Sequence, residues 1–148
     1  METGVDKGLG AVLLCAALEK NALDGYPGRY QGTDINPAAG FLLSPPYNAF
    51  GEILYGDSIE SLRRIPSIDL FINDSDHSSE YERREYEVIQ PKLTERAIIL
   101  GDNSHCTNEL AEFSRNHKRV FLFFREEPAD HWYPGAGIGI SFIRDECP

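Results

Sequence analysis

Apolar residues fall along this chain in short runs, each broken off by a polar or glycine-bearing stretch. Ile68-Asp69-Leu70-Phe71-Ile72, rich in β-branched and aromatic side chains, reads as a buried strand that stops in Asn73-Asp74-Ser75-Asp76-His77. A periodic polar stretch over 78–93 predicts a helix, and Ala97-Ile98-Ile99-Leu100 then repeats the pattern, ending in Gly101-Asp102-Asn103-Ser104-His105. Upstream, residues 1–5 read as the last piece of a strand. Leu9, Val12, Leu13, Ala16 and Ala17 recur at helical spacing, so a helix should run to about Ala22. Residues 29–33 predict a second strand ending in Asp34, 36–43 a short helix broken by Ser44-Pro45-Pro46, and 52–55 a third strand. A helix over 59–64 leads into the fourth strand. Beyond the fifth, Cys106, Leu110, Phe113 and His117 share a helical face, 120–124 is a strongly apolar sixth strand, and 138–143 a seventh.

Alternating strands and helices predict an α/β fold with a mostly parallel sheet, in which ligands sit beyond the carboxyl ends of the strands. The connection over 126–135 is too short for a crossover helix, so strands six and seven should be antiparallel. Trp132 and Tyr133 in that connection either wall a pocket or cover the sheet edge. Two neighbouring strand ends deliver Asp74, Asp76, Asp102 and Asn103 to one edge, with His77 and His105 close behind. Clustered oxygen ligands suit a hard divalent cation such as magnesium. The competing reading is helix capping, for which Asp, Asn and Ser are the favoured residues. One such strand end is more often a cap than a site; two in succession shift the balance. His117, at a helix end, reads as a residue favouring the dipole rather than a ligand.

The first turn, with Gly4, Gly8 and Gly10, does not make the G-x-G-x-x-G dinucleotide fingerprint. Asp34 stands where α/β nucleotide folds hold ribose hydroxyls. At 148 residues the chain is read as one domain, 1–148. A balance of 24 acidic against 14 basic residues argues against a nucleic-acid or anionic-membrane binder, since phosphate contacts need clustered Lys and Arg. Cys15, Cys106 and Cys147 are scattered, without metal or redox spacing. They read as reduced cytoplasmic thiols, Cys15 on a buried helix face.

Taken together, the order of elements resembles a class I S-adenosylmethionine (SAM)-dependent methyltransferase with a Rossmann-like, mostly parallel seven-stranded sheet and an antiparallel last strand. Glu2-Thr3-Gly4-Val5-Asp6-Lys7-Gly8 is similar to the family's first motif, E/D-x-G-x-G-x-G, with Asp6 in place of the middle glycine. Asp34 matches the acid that holds the ribose, and Gly56-Asp57-Ser58 the turn that contacts adenine. Residues 69–77 resemble the D-L-I-F-I-D-G-D-H strand of small-molecule O-methyltransferases of the cephalosporin-hydroxylase-like group, related to the catechol O-methyltransferase group.

The resemblance implies SAM held by Glu2, Gly4, Asp6, Gly8, Asp34, Asp57, Ser58 and Asp74. It implies a magnesium ion on Asp74, Asp102 and Asn103, and His77 as general base where metal-dependent relatives carry a lysine. Asp76 would orient His77 or face solvent. The implied reaction is methyl transfer to a hydroxyl of a small-molecule acceptor, with no nucleic acid and no membrane as partner. Ser44-Pro45-Pro46-Tyr47 is only superficially similar to a base-methylation motif, because it follows the second strand rather than the fourth. The first strand is truncated and the helices that cover the acceptor site in relatives do not precede it, which leaves homo-oligomerisation open as a way to complete the protein. Two rivals remain: a degenerate binding or assembly module of the same fold, and a metal-dependent hydrolase using Asp74 and Asp102.

Overall fold

A computed structural model describes residues 1–102, 104–127, 129–130 and 136–144. Among these residues are seven strands, and the chain gathers into two compact units, Met1–Ser61 and Leu62–Pro148. The α/β class, the seven strands and the antiparallel last strand agree with the pattern of apolar runs.

In the first unit, β1 (Glu2–Thr3), β2 (Tyr30–Asp34) and β3 (Gly51–Tyr55) are parallel, with β2 in the middle. At two residues β1 is as short as the sequence implies. The helix α1 (Leu9–Leu23) starts after Gly8, whose left-handed φ of 94° suits glycine. Its buried side consists of Ala11 and Cys15, packed with Val5 and Tyr30 and flanked by Leu14 and Leu18. The stripe expected from periodicity is thereby corrected, since Leu9 and Leu13 are each 64% exposed. The helix is apolar nearly all round, so spacing alone selects no face. Small residues win the inner side because the strands approach closely there: a Cβ on Gly51 would lie 2.9 Å from Cys15 Sγ.

The expected helix over 36–43 is absent, and the segment is a series of turns. Its backbone bonds elsewhere. Gly40 N–H donates to Asp6 O at 2.7 Å and Leu42 N–H to Lys7 O at 3.1 Å. A short 3-10 turn, Tyr47–Ala49, precedes β3. The helix α2 (Ser58–Arg64) follows β3 in the chain.

In the second unit, β4 (Ile68–Asn73) and β5 (Leu93–Gly101) pair in parallel, β7 (Gly137–Phe142) runs antiparallel to β5, and β6 (Val120–Arg125) pairs with β7. The helices α3 (Ser79–Ile89) and α4 (Glu109–Asn116) accompany them. The core is aromatic: Tyr86 meets Phe71 edge-on at 6.4 Å and Phe113 at 5.5 Å between ring centroids. Ala97, Ile99 and Ser141 are buried on one face of this sheet, whereas Ile98, Leu122, Phe124 and Ile138 remain 41–56% exposed on the other. Register accounts for the split, since Phe124 stands opposite Ile138 and Leu122 opposite Ile140, and directly opposed residues share a face. Cys106 lies before α4 and is exposed, so it does not join the buried face of Leu110 and Phe113. His117 caps α4 as expected, with Nδ1 2.9 Å from Phe113 O and its ring stacked on Phe113 at 4.3 Å. Trp132, Tyr133 and Cys147 lie outside the described residues.

Candidate functional site

Three residues of the turn after β1 adopt left-handed backbone: Gly4 (φ 81°), Asp6 (φ 47°) and Gly8 (φ 94°). Asp6 therefore takes the conformation the middle glycine of the motif would supply, which Asp tolerates better than most side chains. The turn is gripped from both sides. The Asp34 carboxylate accepts the Val5 and Asp6 amides on Oδ2, each at 3.0 Å, and the Asn36 amide on Oδ1 at 2.8 Å. The carbonyls of Asp6 and Lys7 accept from Gly40 and Leu42. With Oδ2 holding two donors, the acceptor capacity left on Asp34 is a lone pair of Oδ1. A Cβ on Gly8 would come within 3.0 Å of Gly40 Cα, so two backbones touch where the turn closes.

Glu2 is 7% exposed and accepts a short hydrogen bond from the Tyr30 hydroxyl. Burial pushes its carboxyl above the usual range, with the Tyr30 bond pulling the other way. A Cβ on Gly10 would meet Glu2 Oε1 at 2.6 Å, so the glycine makes room for the acid. Glu2 thus braces the start of α1 against β2. Beyond β3, Asp57 caps α2, its Oδ1 accepting the Glu60 amide at 3.1 Å, and Ser58 is buried. Gly56 has a φ of 128°, and a Cβ there would meet nothing within 4 Å, leaving open space at the end of β3.

In the second unit the ends of β4 and β5 lie side by side. Asn73 pairs with Gly101, and the Asp102 amide donates to Asn73 O at 2.9 Å. Asp74 and Asp102 consequently leave adjacent strands together. Ligand atoms of Asp74, His77 and Asp102 all lie within 4.8 Å of one another. The sequence-derived pair of aspartates is thus brought together and His77 joins it. Asn103 lies outside the described residues. Asp76 and His105 do not belong to the cluster: Asp76 Oδ1 accepts the Ser78 amide at 2.8 Å, a bond that lowers its carboxyl below the usual range. His105 is exposed, its Nε2 3.6 Å from Cys106 Sγ.

Sequence reasoning missed the acids behind the cluster. Glu82 and Glu85 are 2% and 0% exposed on the inner face of α3. Glu85 accepts the Ser75 hydroxyl at 3.0 Å and a short bond from Asn73 Nδ2, tying the β4 end to the helix. Glu82 accepts a short bond from the Thr107 hydroxyl, and its Oε1 lies 3.8 Å from His77 Nδ1. Burial pushes its carboxyl up, against the pull of Thr107 and His77. The signal was present: Glu82, Tyr86 and Ile89 recur at helical spacing, so the apolar side of α3 carries an acid one turn before Tyr86.

A family model described as a methyltransferase domain matches residues 1–104. Among solved structures, an O-methyltransferase from Bacillus cereus in complex with SAH is similar with a TM-score of 0.69 at 14% identity, over 97% of this chain and 72% of that one. The O-methyltransferase TomG from Streptomyces achromogenes, in complex with SAM and involved in tomaymycin synthesis, gives 0.70 at 13% identity, over 96% and 71%. A precorrin-6y C5,15-methyltransferase from Geobacter metallireducens gives 0.70 at 13%, over 97% and 79%. No curated protein sequence matches the chain.

Proposed function

The chain belongs to the methyltransferase-domain family matched over residues 1–104, and from that premise we propose that it methylates a hydroxyl of a small molecule with SAM as donor and a divalent cation as aid. The observation that carries the finer part of this reading is the meeting of Asp74 and Asp102 at adjacent strand ends. Similar folds in complex with SAM and SAH support the choice of cofactor.

The first unit supplies the cofactor residues in this reading. Gly4, Asp6 and Gly8 hold the turn in a shape that brings backbone close to a ligand, and Asp34 offers its remaining lone pair to a ribose hydroxyl. Gly56 leaves room for a ring at the end of β3. The bound cofactor supplies a methyl group on a sulfonium, already a reactive donor. Asp74 and Asp102 would hold the cation, which supplies Lewis acidity to an acceptor oxygen. Donors around a cation with bonds of about 2.1 Å stand at most about 4.2 Å apart, so a cluster spanning 4.8 Å fits after a small contraction. What these side chains contribute is orientation of the acceptor, the main task when the donor is activated beforehand. A net charge of −10 favours a small acceptor over a nucleic acid.

The rival reading, a binding module of the same fold without turnover, draws on Asp34: three backbone amides already occupy the carboxylate expected to hold ribose. Calorimetric titration with S-adenosylhomocysteine on wild type and Asp34→Asn separates the two, with melting curves taken without ligand. We expect wild type to bind and Asp34→Asn to bind at least about tenfold more weakly, a difference of ~1.4 kcal/mol. Asp34→Asn should also melt earlier, because the NH2 that replaces one carboxylate oxygen cannot accept from the turn's amides. A folded wild type that ignores the ligand removes the SAM reading. Turnover of hydroxylated acceptors, with and without magnesium, then decides against the binding module.

A further inference from the structure

The His77 ring lies between two acids of different character. Its Nε2 is 3.8 Å from Asp74 Oδ1, on the side of the exposed cluster, and its Nδ1 is 3.8 Å from Glu82 Oε1, on the buried side. The Glu82 side chain is only 3% exposed, and its other oxygen is held by Thr107, so it cannot swing out to water. A carboxylate fixed behind one imidazole nitrogen favours the proton on that nitrogen and turns the lone pair of the other toward the front. Here the front is the cluster with Asp74 and Asp102.

We propose that His77 is a nitrogen donor to the cation held by Asp74 and Asp102, that Glu82 is the positioning residue that aims it, and that the site selects a transition-metal cation over magnesium. The inference rests on the cation reading above and changes it in two respects. A set of two carboxylates and one imidazole suits manganese, iron, cobalt or zinc, whereas magnesium favours oxygen alone. With Nε2 engaged, His77 is a ligand rather than the proton acceptor that the resemblance implies, and the acceptor's proton leaves by water.

The test is calorimetric titration of the full chain with MnCl2, CoCl2 and MgCl2, together with the visible absorption of the cobalt-loaded protein. Cobalt binds most sites more tightly than magnesium, so the informative quantity is the ratio of affinities between variants. We expect His77→Ala to weaken cobalt and manganese at least tenfold, leave magnesium within about twofold, and shift the cobalt spectrum toward an all-oxygen site. Glu82→Gln should weaken cobalt about 10–100-fold in the same pattern. If Glu82→Gln fails to fold, Thr107→Val, which releases the far oxygen of Glu82, carries the test and should weaken cobalt several-fold. Asp102→Ala serves as the control for the cation site itself. Loss of cobalt in Asp102→Ala with no change in His77→Ala and the Glu82 or Thr107 variant overturns this inference and leaves the proposed function standing. Absence of any cation binding by wild type overturns this inference and the cation part of the proposed function, while S-adenosylhomocysteine binding still decides the SAM part.

Discussion

Glu2 shows how much one buried acid can set. Its carboxyl is held above the ordinary value of 4.5 by burial, so the folded protein binds more protons there than the unfolded chain. Stability from this group is full below the ordinary carboxylate range and is lost as pH rises through the raised value. Replacing it with glutamine removes the titration while keeping a partner for Tyr30. Urea midpoints of wild type and Glu2→Gln, compared from about pH 4 to about pH 7, should therefore shift steadily in favour of the variant. A constant difference across that range would contradict the buried-acid account. Glu82 shares the direction of shift, so the variant retains part of the wild-type slope. Neither acid's hydrogen-bond partner was legible in the sequence, where Glu2 reads as a cofactor residue of the first motif and Glu82 as one position of a polar helix. Their partners, Tyr30 for Glu2 and Thr107 for Glu82, lie 28 and 25 residues away.

The elements were far more legible than their surroundings. The strands β4, β5, β6 and β7 announce themselves as apolar runs, because β-branched and aromatic side chains concentrate in strands. Asp74 and Asp102 were legible for the same reason, each being the first acid after such a run. What failed was whatever depends on long-range hydrogen bonds or on choosing a face. The segment over 36–43 spends its amides on Asp6 and Lys7, and α1 offers two apolar sides of which the strands accept the smaller. The turn between β1 and α1 is the most demanding element, and it makes a paired prediction. Gly8→Ala places a side chain at φ 94° against the Gly40 backbone and should cost about 1–3 kcal/mol. Asp6→Gly relieves a strained φ of 47° and should gain up to about 1 kcal/mol. Urea midpoints of both variants check the signs.

At the scale of the whole molecule, net charge and surface pull in opposite directions. A charge of −10 keeps copies apart, while Ile98, Leu122, Phe124 and Ile138 leave one sheet face of the second unit apolar and open. No helix among the described residues is long and apolar enough to cross a membrane. Raising salt to screen the charge should therefore promote association, and Phe124→Lys should raise the concentration at which it begins by about tenfold, or ~1.4 kcal/mol. Sedimentation velocity at two protein concentrations reads the effect directly.

The same face has a kinetic side. Its outer strand, β6, carries Val120-Phe121-Leu122-Phe123-Phe124 ahead of Arg125, five residues uncharged and without proline, and it pairs on one side with β7. Segments of this composition are the ones that stack into fibrils once a neighbour lets go. Lys118 and Arg125 bracket it, and like charges at both ends act as gatekeepers against edge-to-edge growth. Heating should thus remove this protein by irreversible clumping before equilibrium unfolding can be read, so that its working lifetime is a rate set by how often β6 leaves β7.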